Sequence, residues 1–334
     1  MQERTVDVAI LGAGTAGLNA RKEVEEAGKS WVIIDPGPLG TTCARVGCMP
    51  SKLLIAAADA AHEVHGASRF GVQVDPSAVR IDGAAVMKRV RDERDRFVGF
   101  VVSDTEKIET LIRGRARFTG PNTLMVDDHT KVHFTTAVIA TGSSPWIPPP
   151  LDQIPDRVQV NDDVFDWSDL PESVAVFGTG IIGLELGQAL HRLGVTVVLF
   201  NPFEQVGPFS DPAVHDAAKQ ILGDELNMEL GAKVHEIRPE GEHTQIRWTR
   251  TDGAEHTQSF EVVLAAAGRR ANVGNLGLEN TPVPVDARGR VHSNPRTAQI
   301  GHTHFFIAGD VAGHRPLLHE ASDEGRISGA NAAT

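Results

Sequence analysis

The first apolar run, Val6-Asp7-Val8-Ala9-Ile10-Leu11, is nearly continuous rather than alternating, which predicts a strand buried on both faces. Gly12-Ala13-Gly14-Thr15-Ala16-Gly17 interrupts it. A helical pattern then fills 18–27 and stops at Gly28. A second apolar run, Trp31-Val32-Ile33-Ile34, ends in Asp35. The same order returns later. Val174-Ala175-Val176-Phe177 predicts a strand, Gly178-Thr179-Gly180-Ile181-Ile182-Gly183 a turn, and a helix runs to about Leu193. Gly194 ends that helix before a strand over Val195-Thr196-Val197-Val198-Leu199-Phe200. Asp35 stands as far beyond Gly17 as Asn201 stands beyond Gly183. One GxGxxG alone carries little weight. Two copies, each inside a strand–turn–helix–strand pattern and equally spaced, predict two dinucleotide-binding units.

Short alternating runs continue each half. Residues 115–118 and 123–126 flank Gly120-Pro121-Asn122, and 245–249 and 257–263 flank Asp252-Gly253, as in β-meanders. Each half closes on an apolar strand ending in glycine, Ala137-Val138-Ile139-Ala140-Thr141-Gly142 and Val262-Val263-Leu264-Ala265-Ala266-Ala267-Gly268. Between them the proline-rich stretch 143–150 predicts a stiff linker. Long helical patterns occupy 52–65 and 84–112. The tail shows little helix before about Leu317 and contains Phe305-Phe306-Ile307-Ala308-Gly309-Asp310. The fold class is α/β: two Rossmann-like domains, each with an inserted β-meander.

Composition narrows the function classes. With 334 residues, 41% hydrophobic and 23% charged, the chain has room for two globular domains. No run reaches transmembrane length, and the first ten residues lack a basic-then-apolar leader, so neither a membrane span nor a signal peptide is expected. The net charge of −12 disfavours nucleic acid and anionic membrane as partners. Only 2 cysteines are present, too few for a secreted disulfide framework, and a reducing, cytoplasmic setting is expected.

The glycines have separate physical tasks. Gly12 permits the tight turn, Gly14 lets backbone approach a pyrophosphate, and Gly17 allows close helix–strand packing. The helix start then holds phosphate through its dipole and open N–H groups, and Asp35 can accept from ribose hydroxyls. Cys43 and Cys48 share the loop Gly40-Thr41-Thr42-Cys43-Ala44-Arg45-Val46-Gly47-Cys48-Met49-Pro50-Ser51-Lys52. Five residues of straight helix rise about 7.5 Å, beyond the ~4.4–6.8 Å between Cα atoms of a disulfide. A bonded pair therefore requires a break in the helix, and Gly47 is the place for it. Pro50 suits the first turn of the next helix, which puts Cys48 at a helix start, where the dipole favours thiolate, with Lys52 on the same face. Two other readings stay open: inert buried cysteines, or a zinc site made with His62 and His65, whose spacing suits zinc poorly. Glu185, in the first turn after the second fingerprint, is either functional or a solvated helix-start acid. Asp310 is either functional or a cap.

Together these residues resemble the pyridine nucleotide–disulfide oxidoreductases, in particular the dihydrolipoamide dehydrogenase branch, over nearly the whole chain. The Cys-x4-Cys-x-Pro-Ser-Lys motif is the most specific element. The resemblance implies an FAD-binding domain at 1–147 and 273–334 and an NAD(P)-binding domain at 148–272. FAD would be held by Gly12, Gly14, Gly17, Asp35, Gly40, Thr42, Thr141, Gly142, Gly309 and Asp310. NAD(H) would be held by Gly178, Gly180, Gly183, Asn201 and Gly268. Cys43 would exchange with the substrate disulfide, Cys48 would face the flavin, and Lys52 would pair with Glu185. The substrate would be a small dithiol or disulfide such as lipoamide, or a lipoyl domain. No metal is implied.

The chain departs from the family pattern at four places. The glycine pair before the first cysteine is Gly40-Thr41, and the tyrosine often found in the second fingerprint is Ile181. The NAD-selecting acid falls on Asn201, which does not repel a 2′-phosphate. No arginine lies between Asn201 and Asp211 to attract one, so NAD(H) is favoured with NADP(H) still open. The fourth departure is the C-terminal interface domain, which in the family dimerises and supplies a His–Glu base pair. The sequence stops at Thr334, and His319-Glu320 aligns with the helix leading into that domain, not with the pair. The expectation is a truncated core: a homodimer at full length, a monomer as this chain, with little dithiol oxidation but with NADH-to-dye electron transfer retained. A mercuric reductase-like enzyme and a flavin-bearing redox-sensing module are the alternatives.

Overall fold

The computed structural model describes residues 1–334, the side chain of residue 76 apart. It contains α1 (Thr15–Glu26), α2 (Thr42–Val46), α3 (Cys48–Gly66), α4 (Gly83–Glu106), α5 (Ile181–Arg192), α6 (Pro212–Glu225) and α7 (Leu318–Ala332). The chain divides into two compact units. The first comprises 1–43, 97–144 and 270–334, and the second 44–96 and 145–269.

The first unit is built on a seven-stranded sheet. Gln2–Leu11 lies between Trp31–Asp35 and Thr130–Ile139, parallel to both, as its unbroken apolar run predicts. Thr130–Ile139 is shared between two patterns. Its first residues pair antiparallel with Thr123–Val126, and its last pair parallel with Phe305–Ile307. The meander is therefore an extension of the main sheet. Phe118, Phe134 and Phe305 meet edge-to-face beneath it, with centroids 5.3 to 5.9 Å apart. On the other face α7 lies close against α1. A Cβ on Gly325 would sit 2.4 Å from Ala16 O, and one on Gly329 2.3 Å from Ala20 O, so only glycine permits this approach.

The second unit holds an all-parallel five-stranded sheet in the order Asn227–Leu230, Thr196–Asn201, Ser173–Phe177, Val262–Ala265, Val158–Val160. Its meander is a separate antiparallel sheet of Lys233–Glu240, His243–Thr249 and Glu255–Phe260. Leu54 and Ala58 of α3 pack with Leu186, Ala189 and Leu190 of α5 in a core that also takes Met87 and Val90 of α4.

Four boundaries differ from the sequence pattern. The helix expected over 84–112 ends at Glu106, and Leu111–Arg113 is a short strand beside Trp31–Asp35. The run expected as one strand over 257–263 is split at Glu261, because Glu255–Phe260 belongs to the meander and Val262–Ala265 to the parallel sheet. Lys233–Glu240 carries too few apolar residues to be read as a strand, and α6 was hidden between two strand signals. The α3 helix begins at Cys48, one turn earlier than 52.

Candidate active site

The two glycine turns repeat one construction. Gly12 has φ +110° and Gly178 φ +123°, conformations that favour glycine. A Cβ at either would lie 2.3 Å from Ala140 O or 2.4 Å from Ala266 O. Gly17 and Gly183 are closed by the turn itself, 1.9 and 2.0 Å from the carbonyl oxygens of Gly12 and Gly178. Gly14 and Gly180 differ. They precede α1 and α5, no side chain caps either helix, and a Cβ there would meet nothing within 4 Å. Each turn thus presents uncapped helix-start N–H groups to open space, the arrangement that receives a phosphate.

Beyond the turns the side chains diverge. Asp35 accepts from Ala13 N–H (2.7 Å) and Gly37 N–H (2.6 Å), one on each carboxylate oxygen, and each oxygen keeps a lone pair. Asn201 accepts from Phe203 N–H (3.0 Å) and spends its amide donors on Thr179 Oγ1 (2.5 Å) and Gln205 O (2.9 Å).

In the first unit the late segment meets the closing strand. Thr141 Oγ1 donates to Asn272 O (2.8 Å), Asn272 Nδ2 returns to Thr141 O (3.0 Å), and Asn272 N–H reaches Gly142 O (3.0 Å). Ser143 Oγ donates to Asp310 Oδ2 (2.8 Å). Gly309, at φ +81°, donates its N–H to Glu324 Oε2 of α7 (2.7 Å). Burial pushes the Glu324 carboxyl above its ordinary range, against the opposing pull of that N–H and of His314 at 3.6 Å. Asn272, Ser143 and Glu324 have no local sequence signal beyond the acid preceding Gly325 in α7.

The cysteine segment is a broken helix. Cys43 lies in α2 and Cys48 opens α3, separated at Gly47, whose φ −126° and ψ −122° are not helical. Pro50 falls in the first turn of α3. Cys43 is half-buried and Cys48 exposed. Ahead of them Gly40 has φ +112°, and Thr41 takes the left-handed conformation (φ 61°) that the family fills with glycine. For a β-branched residue this strain costs about 1–3 kcal/mol. Lys52, one turn into α3, places Nζ 2.8 Å from both carboxylate oxygens of Glu185. Glu185 lies just past the first turn of α5, not within it, so the helix dipole does not account for its position. Gly268, at φ +109°, accepts from Trp146 N–H (3.0 Å) through its carbonyl, and a Cβ there would meet nothing within 4 Å.

The zinc alternative fails on helix geometry. Cys48 and His62 lie on one continuous helix, separated by about 21 Å of rise. His62 and His65 instead line a cavity of about 570 Å³ with His191, Arg192 and Glu225.

Residues 6–325 match the family model for pyridine nucleotide-disulphide oxidoreductases. The chain belongs to that family. Its members use FAD and NAD(H), and the uncapped, Cβ-intolerant glycine turns described above fit both nucleotides. The chain is 31% identical to the dihydrolipoyl dehydrogenase of Thermus scotoductus, over 99% of this chain and 71% of that protein. It is 29% identical to the dihydrolipoyl dehydrogenase of Vibrio cholerae, over 98% and 69%. A mercuric reductase of Staphylococcus aureus is 29% identical over 98% of this chain and 59% of its own length. The solved HOCl-induced flavoprotein disulfide reductase of Escherichia coli, in its Cu(II) complex, superposes with a TM-score of 0.80 at 21% identity, over 97% of this chain and 70% of that one, and shows the same fold. Among the described residues no helix is long and apolar enough to cross a membrane.

Proposed function

We propose that this oxidoreductase binds FAD on the first unit and NAD(H) on the second, and exchanges electrons with a dithiol or disulfide substrate, lipoamide or a lipoyl domain, through Cys43 and Cys48. The observation that carries this reading is the cysteine segment: a helix broken at Gly47, with Cys48 opening α3 and Lys52 held by Glu185. FAD, when bound, supplies a two-electron acceptor between thiols and nicotinamide. Gly12, Gly14, Gly17 and the start of α1 hold its pyrophosphate, Asp35 a ribose, and Gly40, Thr42, Thr141, Gly142, Gly309 and Asp310 the remainder. Gly178, Gly180, Gly183, Asn201 and Gly268 serve NAD(H) in the same manner.

The thiol chemistry belongs to the chain. The Cys43 thiolate attacks one sulfur of the substrate disulfide, forming a mixed disulfide and expelling one substrate thiolate. The Cys48 thiolate then attacks the Cys43 sulfur, closing the Cys43–Cys48 bond and expelling the second thiolate. Run backwards, a substrate dithiol reduces the pair. A start of helix at Cys48 favours its thiolate form. The Lys52–Glu185 pair is solvent-exposed, and such pairs contribute only about 0–1 kcal/mol to stability. Its value is in orienting the Lys52 ammonium.

The test is anaerobic titration of the FAD-loaded chain with NADH, then NADPH, followed by absorbance in wild type and Cys48→Ser. Wild type is expected to develop a long-wavelength band that the variant lacks, and NADH is expected to act at lower concentration than NADPH. Indistinguishable spectra for the two chains would remove Cys48 from the reading. The similarity to a mercuric reductase supports a second use of the same thiol pair. NAD(P)H oxidation that depends on added Hg(II) but not on lipoamide would select it.

A further inference from the structure

The loop that follows Thr196–Asn201 is tied back to the second glycine turn at nearly every polar atom. Thr179 Oγ1 donates to Gln205 O (2.5 Å), Asn201 Nδ2 to Thr179 Oγ1 and Gln205 O, and Gly207 N–H to Thr179 O (2.8 Å). Gln205 Nε2 reaches Gly207 O (3.0 Å). Within this ring Val206 is fully buried, and its N–H donates to His215 Nε2 of α6 at 3.1 Å. A backbone N–H can only donate. The geometry therefore requires an unprotonated Nε2, which leaves the proton of the neutral ring on Nδ1, 3.7 Å from Asp216 Oδ1.

The charged groups around this ring are few. Asp216 lies on its own helix, and Asp211 is spent capping α6 through Ala213 and Val214. From the loop, Glu204 is engaged by Lys219, one turn beyond His215 (2.7 Å). None of these replaces an acceptor for Val206 N–H. An imidazolium would set two N–H groups face to face and leave that buried donor without a partner.

We propose that His215 is a positioning residue for NAD(H). As a neutral imidazole it locks loop 201–209 against Thr179, and on protonation it releases the loop. The functional consequence rests on this turn being the NAD(H) site. Histidine is the side chain that changes charge between about pH 5 and 8, so the lock is sensitive to pH in that range.

The experiment uses the FAD-loaded chain as wild type, His215→Gln and His215→Leu, at pH 8 and pH 5.5. It reads the NADH dissociation constant by fluorescence, and the exchange protection of the Val206 and Gly207 amides corrected for intrinsic rates. Gln places an acceptor near the position of Nε2 and does not titrate. Wild type is expected to bind NADH about tenfold more weakly at the lower pH, as loss of one buried hydrogen bond predicts. His215→Gln should be flat across the two pH values, and His215→Leu weak at both. Amide protection should follow the same pattern. The proposal is overturned if His215→Leu keeps wild-type protection at pH 8, or if His215→Gln shares the wild-type pH dependence. Absence of NADH binding in every chain would instead defeat the assignment of the nucleotide, and the exchange data would still decide the lock.

Discussion

Between the first two glycines of the first turn stands Ala13, and its N–H donates directly to the Asp35 carboxylate. In the second turn the same place is Thr179, whose hydroxyl accepts from the Asn201 amide and donates to Gln205 O. The backbones barely differ: φ +110° against +123° at the first glycine, and −78° against −77° at the helix caps. Glycine sets the shape of both turns, and the neighbouring side chains set their chemistry. The first turn presents an acid with lone pairs to spare. The second presents a neutral amide whose donors are already used, in a loop closed upon itself.

The largest effect is expected where this shared backbone is broken. In Gly12→Ala and Gly178→Ala the new Cβ lies 2.3–2.4 Å from a carbonyl oxygen, at a left-handed φ. Each should cost about 3 kcal/mol or more, strain and overlap combined. Gly14→Ala and Gly180→Ala add a methyl to open space at an extended cap, and should leave the unliganded fold within about 1 kcal/mol. They should nevertheless weaken FAD or NADH binding more than tenfold. Denaturant titration of the unliganded variants beside nucleotide binding separates the two classes. Equal destabilisation by Gly12→Ala and Gly14→Ala would end the division of labour among the glycines.

The comparison extends to the meanders. In the first unit Thr130–Ile139 runs through both meander and parallel sheet, so the chain itself joins them. In the second unit the meander is a separate sheet, held by an apolar layer of Phe200, Trp248 and Phe260 and by an ion pair. Arg250, just beyond His243–Thr249, reaches Glu229 on the edge strand of the parallel sheet through Nε (2.8 Å) and Nη2. Glu229 is 3% exposed. Burial pushes its carboxyl up, but the hydrogen bonds and charge of Arg250 outweigh burial and hold it below its ordinary value. A folded-state pKa below the unfolded one gives stability that is present above about pH 4.3 and is lost as pH falls through the folded value. Arg250→Ala should therefore cost about 3 kcal/mol at pH 7, the low end for a broken buried pair because Arg250 is partly exposed. The gap from wild type should close below about pH 4. Thermal or urea unfolding at pH 7 and pH 3.5 checks both statements, and a gap independent of pH would show that Glu229 is not its source.

Much of this was legible in the sequence because the signals are local. The glycine turns sit between uninterrupted apolar strands, and Gly47 lies between the two cysteines where a helix break is required. Lys52 and Glu185 were matched through the family motif, and the structure brings them together. The remaining features depend on contacts between distant segments. Asn272 with Thr141, Glu324 with Gly309 and Arg250 with Glu229 are polar residues in polar surroundings until the fold juxtaposes them. Leu111–Arg113 was lost for a related reason. Three apolar-edged residues after a helical pattern extend that pattern, and only pairing with Trp31–Asp35 makes them a strand. Thr41 is the converse case. The sequence raised a question about its backbone, and the left-handed φ of 61° shows that the loop keeps the glycine shape despite the strain.

The smallest effect, and the sharpest on the difference between the turns, is expected from making the second acid-bearing like the first. Asn201→Asp replaces two amide donors by carboxylate oxygens. The Thr179 hydroxyl can turn its donor to the new acid, while Gln205 O loses both of its side-chain donors. A carboxylate at this position accepts from a ribose 2′-hydroxyl and repels a 2′-phosphate. The ratio of kcat/KM for NADPH to that for NADH should fall about tenfold, about 1.4 kcal/mol of discrimination. The NADH value itself should change less, because one loosened loop contact opposes one gained ribose contact. Parallel measurement of both nucleotides with a dye acceptor reads this ratio without any need for the disulfide substrate. A ratio unchanged within twofold would mean that position 201 does not face the ribose, and that the resemblance between the two turns stops at their glycines.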